Sequence, residues 1–284
     1  MNLDAYVETY QAQGYVVMPG LLAKDEAAGL QHVTDTVSAR AYGLTAETLE
    51  FDFEPHHRPD APQIQRIKKP HRVDPYYFEL ARHPEILAFL AKVIGPDIRL
   101  NHSKMNMKAS KEGSPLAWHQ DWAFAPHTNM STCVASVMVD DCSVENGALQ
   151  VVAESHRGPL LNHHGADGYF DGAIMPTDAH LAKAQALTGP AGTVAFHHPM
   201  AIHGSGHNRS GDPRRILFLE YAATDAYPLF YDVDWDEYSG RIVQGPATSE
   251  VRIEQNPIRL PQPTRAGSSI YKIQASAQSR YFAA

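Results

Sequence analysis

The chain has 284 residues, 43% apolar and 20% charged, enough to bury a substantial core and to exclude disordered, collagen-like and low-complexity classes. With 24 Lys and Arg against 32 Asp and Glu, the net charge is -8 and no basic run exceeds Lys68-Lys69, so a nucleic-acid role lacks its electrostatic footprint. No apolar stretch approaches a bilayer span, Asp4 and Glu8 stand where a signal peptide needs cations, and the two cysteines, Cys133 and Cys142, allow no disulfide framework, so a cytoplasmic protein with no membrane partner is expected.

In chain order, Leu3 to Gln11 reads as a short helix broken by Gly14, and Tyr15 to Met18 as a β-prone run that turns at Pro19-Gly20. Ala27, Leu30, Val33, Thr34 and Val37 recur at helical spacing between Lys24 and about Arg40. The Pro-, Asp-, Glu- and His-rich stretch from Tyr42 to Gln63 has no sustained period and is expected to be an irregular excursion over the surface or a lid. Pro84 to Val93 is a further packed helix, ended by Gly95-Pro96.

After it the period changes to short β runs: Ile98 to Lys108, Thr132 to Val139, Leu149 to Ala153, Gly192 to Phe196, Met200 to His203 and Ile216 to Tyr221. The fold class expected is mainly β with supporting helices, an antiparallel double-sheet jelly roll of cupin-like form, also called a double-stranded β-helix. One domain is expected over 1–284, with helical support in 1–97, the β core in 98–222 and a Pro-punctuated wrap in 223–284.

His119-Gln120-Asp121 alone means little, since with 16 histidines about one His-x-Asp arises by chance. Two side chains two apart on a strand share a face, however, and can address one metal ion. A mononuclear non-haem Fe(II) centre uses two His and one carboxylate on one face, leaving positions for cosubstrate and O2. Among His197, His198, His203 and His207, only His203 is followed two residues on by a hydroxyl, Ser205, and it is chosen as third ligand. The turn-rich run Asn208 to Pro213 then suggests an antiparallel hairpin that would set Arg214 beside His203. A guanidinium there suits a bidentate ligand with a distal carboxylate, the shape of 2-oxoglutarate.

At this point the sequence resembles the phytanoyl-CoA dioxygenase family of Fe(II)- and 2-oxoglutarate-dependent oxygenases over nearly its whole length. The resemblance is carried by Gln13-Gly14-Tyr15-Val16-Val17-Met18-Pro19-Gly20, Trp118-His119-Gln120-Asp121, Glu145-Asn146-Gly147-Ala148-Leu149, Ser155-His156, and His203-Gly204-Ser205 with Arg214 eleven residues after His203. It implies that His119, Asp121 and His203 hold iron, that Arg214 and Ser205 bind the distal carboxylate of 2-oxoglutarate, and that Lys68 and Asn106 contact the cosubstrate. Lys104 is a weaker candidate of that kind, and Arg215 is the runner-up to Arg214. Ser136 stands where some relatives place a tryptophan and Val134 where many place Thr or Ser, so the cosubstrate pocket is not a copy of theirs. Related halogenases replace the metal-binding carboxylate with a small residue, so Asp121 argues for hydroxylation or another oxidation.

Trp122 and Phe124 follow the ligand pair and are candidate substrate contacts, though aromatic residues beside a β core are as often packing. His163-His164, in a Gly- and Asp-rich loop, are read first as loop histidines, Lys68-Lys69 as a solvated pair and His197-His198 as packing beside a core strand. The function expected is O2-dependent oxidation of a small molecule, with succinate and CO2 released. The rivals are a cupin-like metal-dependent hydrolase or isomerase, opposed by Ser205 with Arg214, and a non-catalytic metabolite-binding module, opposed by the complete ligand set. Nothing in the sequence sets the oligomeric state.

Overall fold

Burial on both faces of a few long strands decides the architecture, because each sends one set of side chains under helices and the other into the space between two sheets. The structure, a computed structural model, describes residues 2–111, 113–230, 233–264, 270–275 and 282. The helices are α1 (Leu3–Gln13), α2 (Lys24–Ala39), α3 (Pro70–Val73), α4 (Pro75–Leu80), α5 (Pro84–Val93), α6 (Asp178–Leu181), α7 (Trp235–Ser239) and α8 (Ile270–Ala275). The strands are β1 (Tyr15–Met18), β2 (Phe51–Phe53), β3 (Ile64–Lys68), β4 (Ile98–Lys108), β5 (Leu116–His119) and β6 (Thr132–Met138). They continue with β7 (Gln150–Val152), β8 (Ala184–Ala186), β9 (Val194–His197), β10 (His203–Ser205), β11 (Arg214–Ala223) and β12 (Ile242–Gln244).

The larger sheet runs β1-β9-β6-β11-β4-β3-β2, with β12 also on β4, and the smaller runs β5-β10-β7-β8. All the pairings between these strands are antiparallel. One core lies under the helices, where Val16, Met18, Leu217, Leu219 and Tyr221 of the large sheet pack with Leu30, Ile86, Phe89 and Leu90. A second core lies between the sheets, where Val134, Met138, Ile216 and Phe218 meet Leu149 and Val151. This is the mainly β jelly roll that the pattern of runs leads one to expect. Among the described residues, no helix is long and apolar enough to cross a membrane.

Several local expectations are corrected. The excursion from Tyr42 to Gln63 includes a strand, β2, paired with β3 at the edge of the large sheet, and both were missed because Pro and charge interrupt their short apolar runs. The strand expected to carry both His119 and Asp121 is β5, which ends on His119 and leaves Asp121 outside it. The run Met200 to His203 contributes only its last residue, since β10 begins at His203. Most consequentially, β10 and β11 are not a hairpin: β10 pairs with β5 and β7, whereas β11 pairs with β4 and β6. The turn between them crosses from one sheet to the other, held by Asn208, whose amide donates to the Asp212 carbonyl at 2.7 Å and the Lys108 carbonyl at 3.3 Å.

Candidate metal centre

His119 and His203 are direct partners across the β5–β10 ladder, so their rings project to one face with centroids 4.1 Å apart. Asp121 is not on the strand; it opens a turn of 3-10 helix, Asp121–Ala123, while extended Gln120 keeps it on the same side as His119. Its carboxylate lies 3.6 Å from His119 Nε2 and 3.5 Å from His203 Nε2. The three offer ligand atoms within 4.8 Å of one another, the one such group found among the described residues.

The surroundings prepare both imidazoles for coordination. His119 donates its Nδ1 proton to the Ala117 carbonyl at 2.8 Å and His203 donates to that of Ala201 at 2.9 Å, which leaves both Nε2 lone pairs facing inward. Burial, with His119 adjacent, pushes His203 well below its ordinary pKa, so it is neutral as a ligand must be. Burial alone would raise the Asp121 carboxyl. The Lys104 ammonium and the hydrogen bond from His197 outweigh that and hold it well below the usual carboxylate range.

Three supporting residues escaped the sequence reading. Gln120, between the ligands, is held on every side: its amide donates to the Met200 carbonyl at 2.8 Å and its carbonyl oxygen accepts from Leu161 N–H at 2.9 Å. Its backbone N–H donates to His163 Nε2 at 3.0 Å while His163 Nδ1–H donates to the Leu161 carbonyl, so His163 is a buried neutral clamp, its pKa pushed down to about 3 by burial. His197, expected to be packing, sits on the inner face of β9 with Nε2 3.1 Å from Asp121 Oδ2. Strand alternation is the missed signal: Phe196 packs outward against Phe89, so its neighbour faces in.

The interior beyond the cluster is polar. Ladder register places Arg214, Ile216, Phe218 and Glu220 of β11 on the same face as Lys108, Asn106, Lys104 and His102 of β4. Arg214 is buried, bonds the Gly147 carbonyl at 2.8 Å through Nη2, and leaves Nε without a hydrogen-bond partner. Lys108, its cross-strand partner, donates to the Ser114 carbonyl at 2.7 Å and to that of Gly206. Neither cation has a carboxylate within ion-pair distance among the described residues, and Asn106 Oδ1 and Ser136 Oγ are also buried without partners. Arg215 points outward into a two-pronged pair with Asp140, Nε to Oδ2 at 2.8 Å and Nη2 to Oδ1 at 2.7 Å.

Ser205 is buried on β10 two residues past His203. The Lys68 ammonium lies 3.1 Å from Asp52 and donates to the Thr48 carbonyl, while Lys104 pairs with Glu220 at 2.9 Å and reaches within 4.0 Å of Asp121. Trp122 is buried among Ala123, Leu160, Phe170 and Met200, its indole N–H donating to the Pro257 carbonyl at 2.8 Å. Phe124 instead lines a cavity of about 580 Å³ that opens beside Asp121 and is walled by Arg66, Lys69, His102, Lys104, Glu220 and Arg241.

A jelly roll with two histidines and a carboxylate converging between its sheets defines the class of mononuclear non-haem metal oxygenases. Residues 10–216 match the phytanoyl-CoA dioxygenase family, and the chain belongs to it. It is 32% identical over 284 residues to a probable alpha-ketoglutarate-dependent hypophosphite dioxygenase of Stutzerimonas stutzeri, covering 96% of this chain and 97% of the relative. It is 28% identical over 252 residues to the L-proline trans-4-hydroxylase of Streptomyces griseoviridis, covering 80% and 90%. In fold it is similar to EctD from S. alaskensis with bound Fe, at TM-score 0.66 and 23% identity over 87% of this chain and 85% of that one.

Proposed function

We propose that His119, Asp121 and His203 hold the iron of this enzyme and that Arg214, with Ser205 and Asn106 nearby, anchors 2-oxoglutarate. The activity is that of an Fe(II)- and 2-oxoglutarate-dependent dioxygenase acting on a small molecule. Bound iron, 2-oxoglutarate and O2 supply the oxidising chemistry, one oxygen atom entering the substrate and the other the succinate formed as CO2 leaves.

The observation that carries the assignment is the buried, unpaired Arg214. A charge out of water is costly unless compensated, and a dianion with a planar carboxylate at its far end compensates a guanidinium in two parallel bonds. The orphaned Ser136 Oγ, whose hydroxyl can donate, fits the same polar guest. The chain's own part is geometric and electrostatic: neutral imidazoles and an ionised Asp121 hold the metal, His197 and the Gln120–His163 clamp keep those ligands in place, and Phe124 shields the cluster on the substrate side. The two free thiols, both buried, support placing the enzyme in a reducing cytoplasm.

Metal analysis and anaerobic difference spectra test the ligand set. The wild type should bind one Fe(II) and develop a visible absorption band with 2-oxoglutarate, and His119→Ala and His203→Ala should lose both the iron and succinate formation. Full iron content and turnover in both variants would overturn the assignment.

A further inference from the structure

The cavity wall away from the ligand cluster carries more positive charge than it pairs. Arg66 lies 3.1 Å from Asp52, which it shares with Lys68 at the same distance. Glu237 is shared by Arg72 at 3.4 Å, Arg241 at 3.4 Å, His71 at 3.6 Å and Lys69 at 4.0 Å. The remaining acid, Asp234, caps α7 by accepting the Glu237 N–H at 3.1 Å. Among the described residues, this part of the cavity is thus lined by three permanent cations, Arg66, Lys69 and Arg241, against two carboxylates, Asp234 and Glu237, with Asp52 behind Arg66 already shared with Lys68. Lys104 and Glu220, nearer the ligands, neutralise each other.

Two further features point from this wall to a ligand. Arg241, which lines the cavity, has a buried Nε without a hydrogen-bond partner. Lys69 lines the cavity from a left-handed backbone, φ 45° and ψ 54°, which a residue with a side chain keeps only where its surroundings hold it. A local excess of cations inside a chain of net charge -8 runs against the protein's own field, as a site that must draw in an anion requires.

We infer that Arg66, Lys69 and Arg241 form an anion-binding wall, and that the substrate carries a compact oxyanion, a phosphorus acid or a carboxylate, held there with its reactive bond toward Asp121 and the two histidines. The inference rests on the iron and 2-oxoglutarate reading. A substrate with a small anionic head bridges the cavity, one end on the guanidinium groups and the other at the ligand cluster. The oxyanion of the hypophosphite dioxygenase relative belongs to this chemistry.

The test uses the Fe(II)- and 2-oxoglutarate-loaded enzyme under anaerobic conditions, titrated calorimetrically with methylphosphonate, hypophosphite, acetate and neutral acetamide. The visible band formed on loading reports the iron and 2-oxoglutarate reading separately, and its absence would fault that reading before any anion is added. With the band present, at least one anion should bind while acetamide does not, and Arg241→Gln and Lys69→Gln should each weaken that anion tenfold or more with the band retained. Lys69, whose side chain is 43% exposed, can be changed with little risk to the fold. No binding by any of the anions, equal binding of acetamide, or unaltered affinity in both variants would overturn the anion wall.

Discussion

The two faces of β11 do opposite work. On the outer face Leu217, Leu219 and Tyr221 are buried under the helices, and Arg215 is satisfied at the rim by Asp140. On the inner face Arg214 and Glu220 are charged groups in a buried interior, bracketing Ile216 and Phe218. One strand therefore separates stability from chemistry by alternation alone, and the contrast between neighbours teaches more than either side: Arg215 has its carboxylate and Arg214 has none among the described residues.

The sharpest way to break the comparison is to truncate each arginine. Losing one partner of a buried charge pair costs roughly 2 to 5 kcal/mol, so Arg214→Ala should raise the 2-oxoglutarate requirement by about 30-fold to several thousand-fold with iron content little changed. Arg214→Lys should recover only part of this, because a point charge cannot make the paired planar contact. Arg215→Ala should leave cosubstrate affinity nearly intact while lowering the urea midpoint, and the reverse pattern in a 2-oxoglutarate titration would reassign the anchor.

On the inner face of β9, His197→Phe keeps the ring and removes the bond to Asp121. Lost support for a metal ligand typically costs about 10- to 100-fold in affinity. Competition with a chelator should show that drop in Fe(II) affinity with thermal stability held, and an unchanged affinity would make His197 packing after all.

The outer face should behave oppositely. Leu219→Ala empties a fully buried site and should cost about 2 to 5 kcal/mol in a denaturant titration. The KM for 2-oxoglutarate in the folded fraction should not move.

Taken one residue at a time, the smallest effect is a pH dependence of stability. Burial pushes His127 down to about 4 and His163 and His198 to about 3 in the folded state, against an ordinary value of 6.5. As pH falls below 6.5 the unfolded chain takes up protons that the folded chain refuses. Each histidine then costs up to about 1.4 kcal/mol per pH unit until its folded pKa is reached, and above 6.5 the contribution is flat. Urea midpoints at pH 7.5 and 5.5 should differ in that direction, and equal midpoints would show that these groups titrate normally.

Local pattern was enough to read β1, α2, α5, β4 and β6 within a residue or two, since each is a sustained run with its own period and stop signals. The grouping of His119, Asp121 and His203 was also legible, the first two from their two-residue spacing and the third from the hydroxyl two residues on. What lies on which side of a strand, and which sheet a strand joins, was decided only in three dimensions. The segment after β10 looked like a hairpin turn but crosses the sandwich, since a turn of given composition serves either route and the partner strand chooses. The parity of Arg214 and Arg215 follows from the β4 register, and the roles of His197, Gln120 and His163 from contacts between segments 40 or more residues apart. Side-chain periodicity is a local property of the backbone. Charge pairing and ligand support depend on which distant strands the packed core brings face to face.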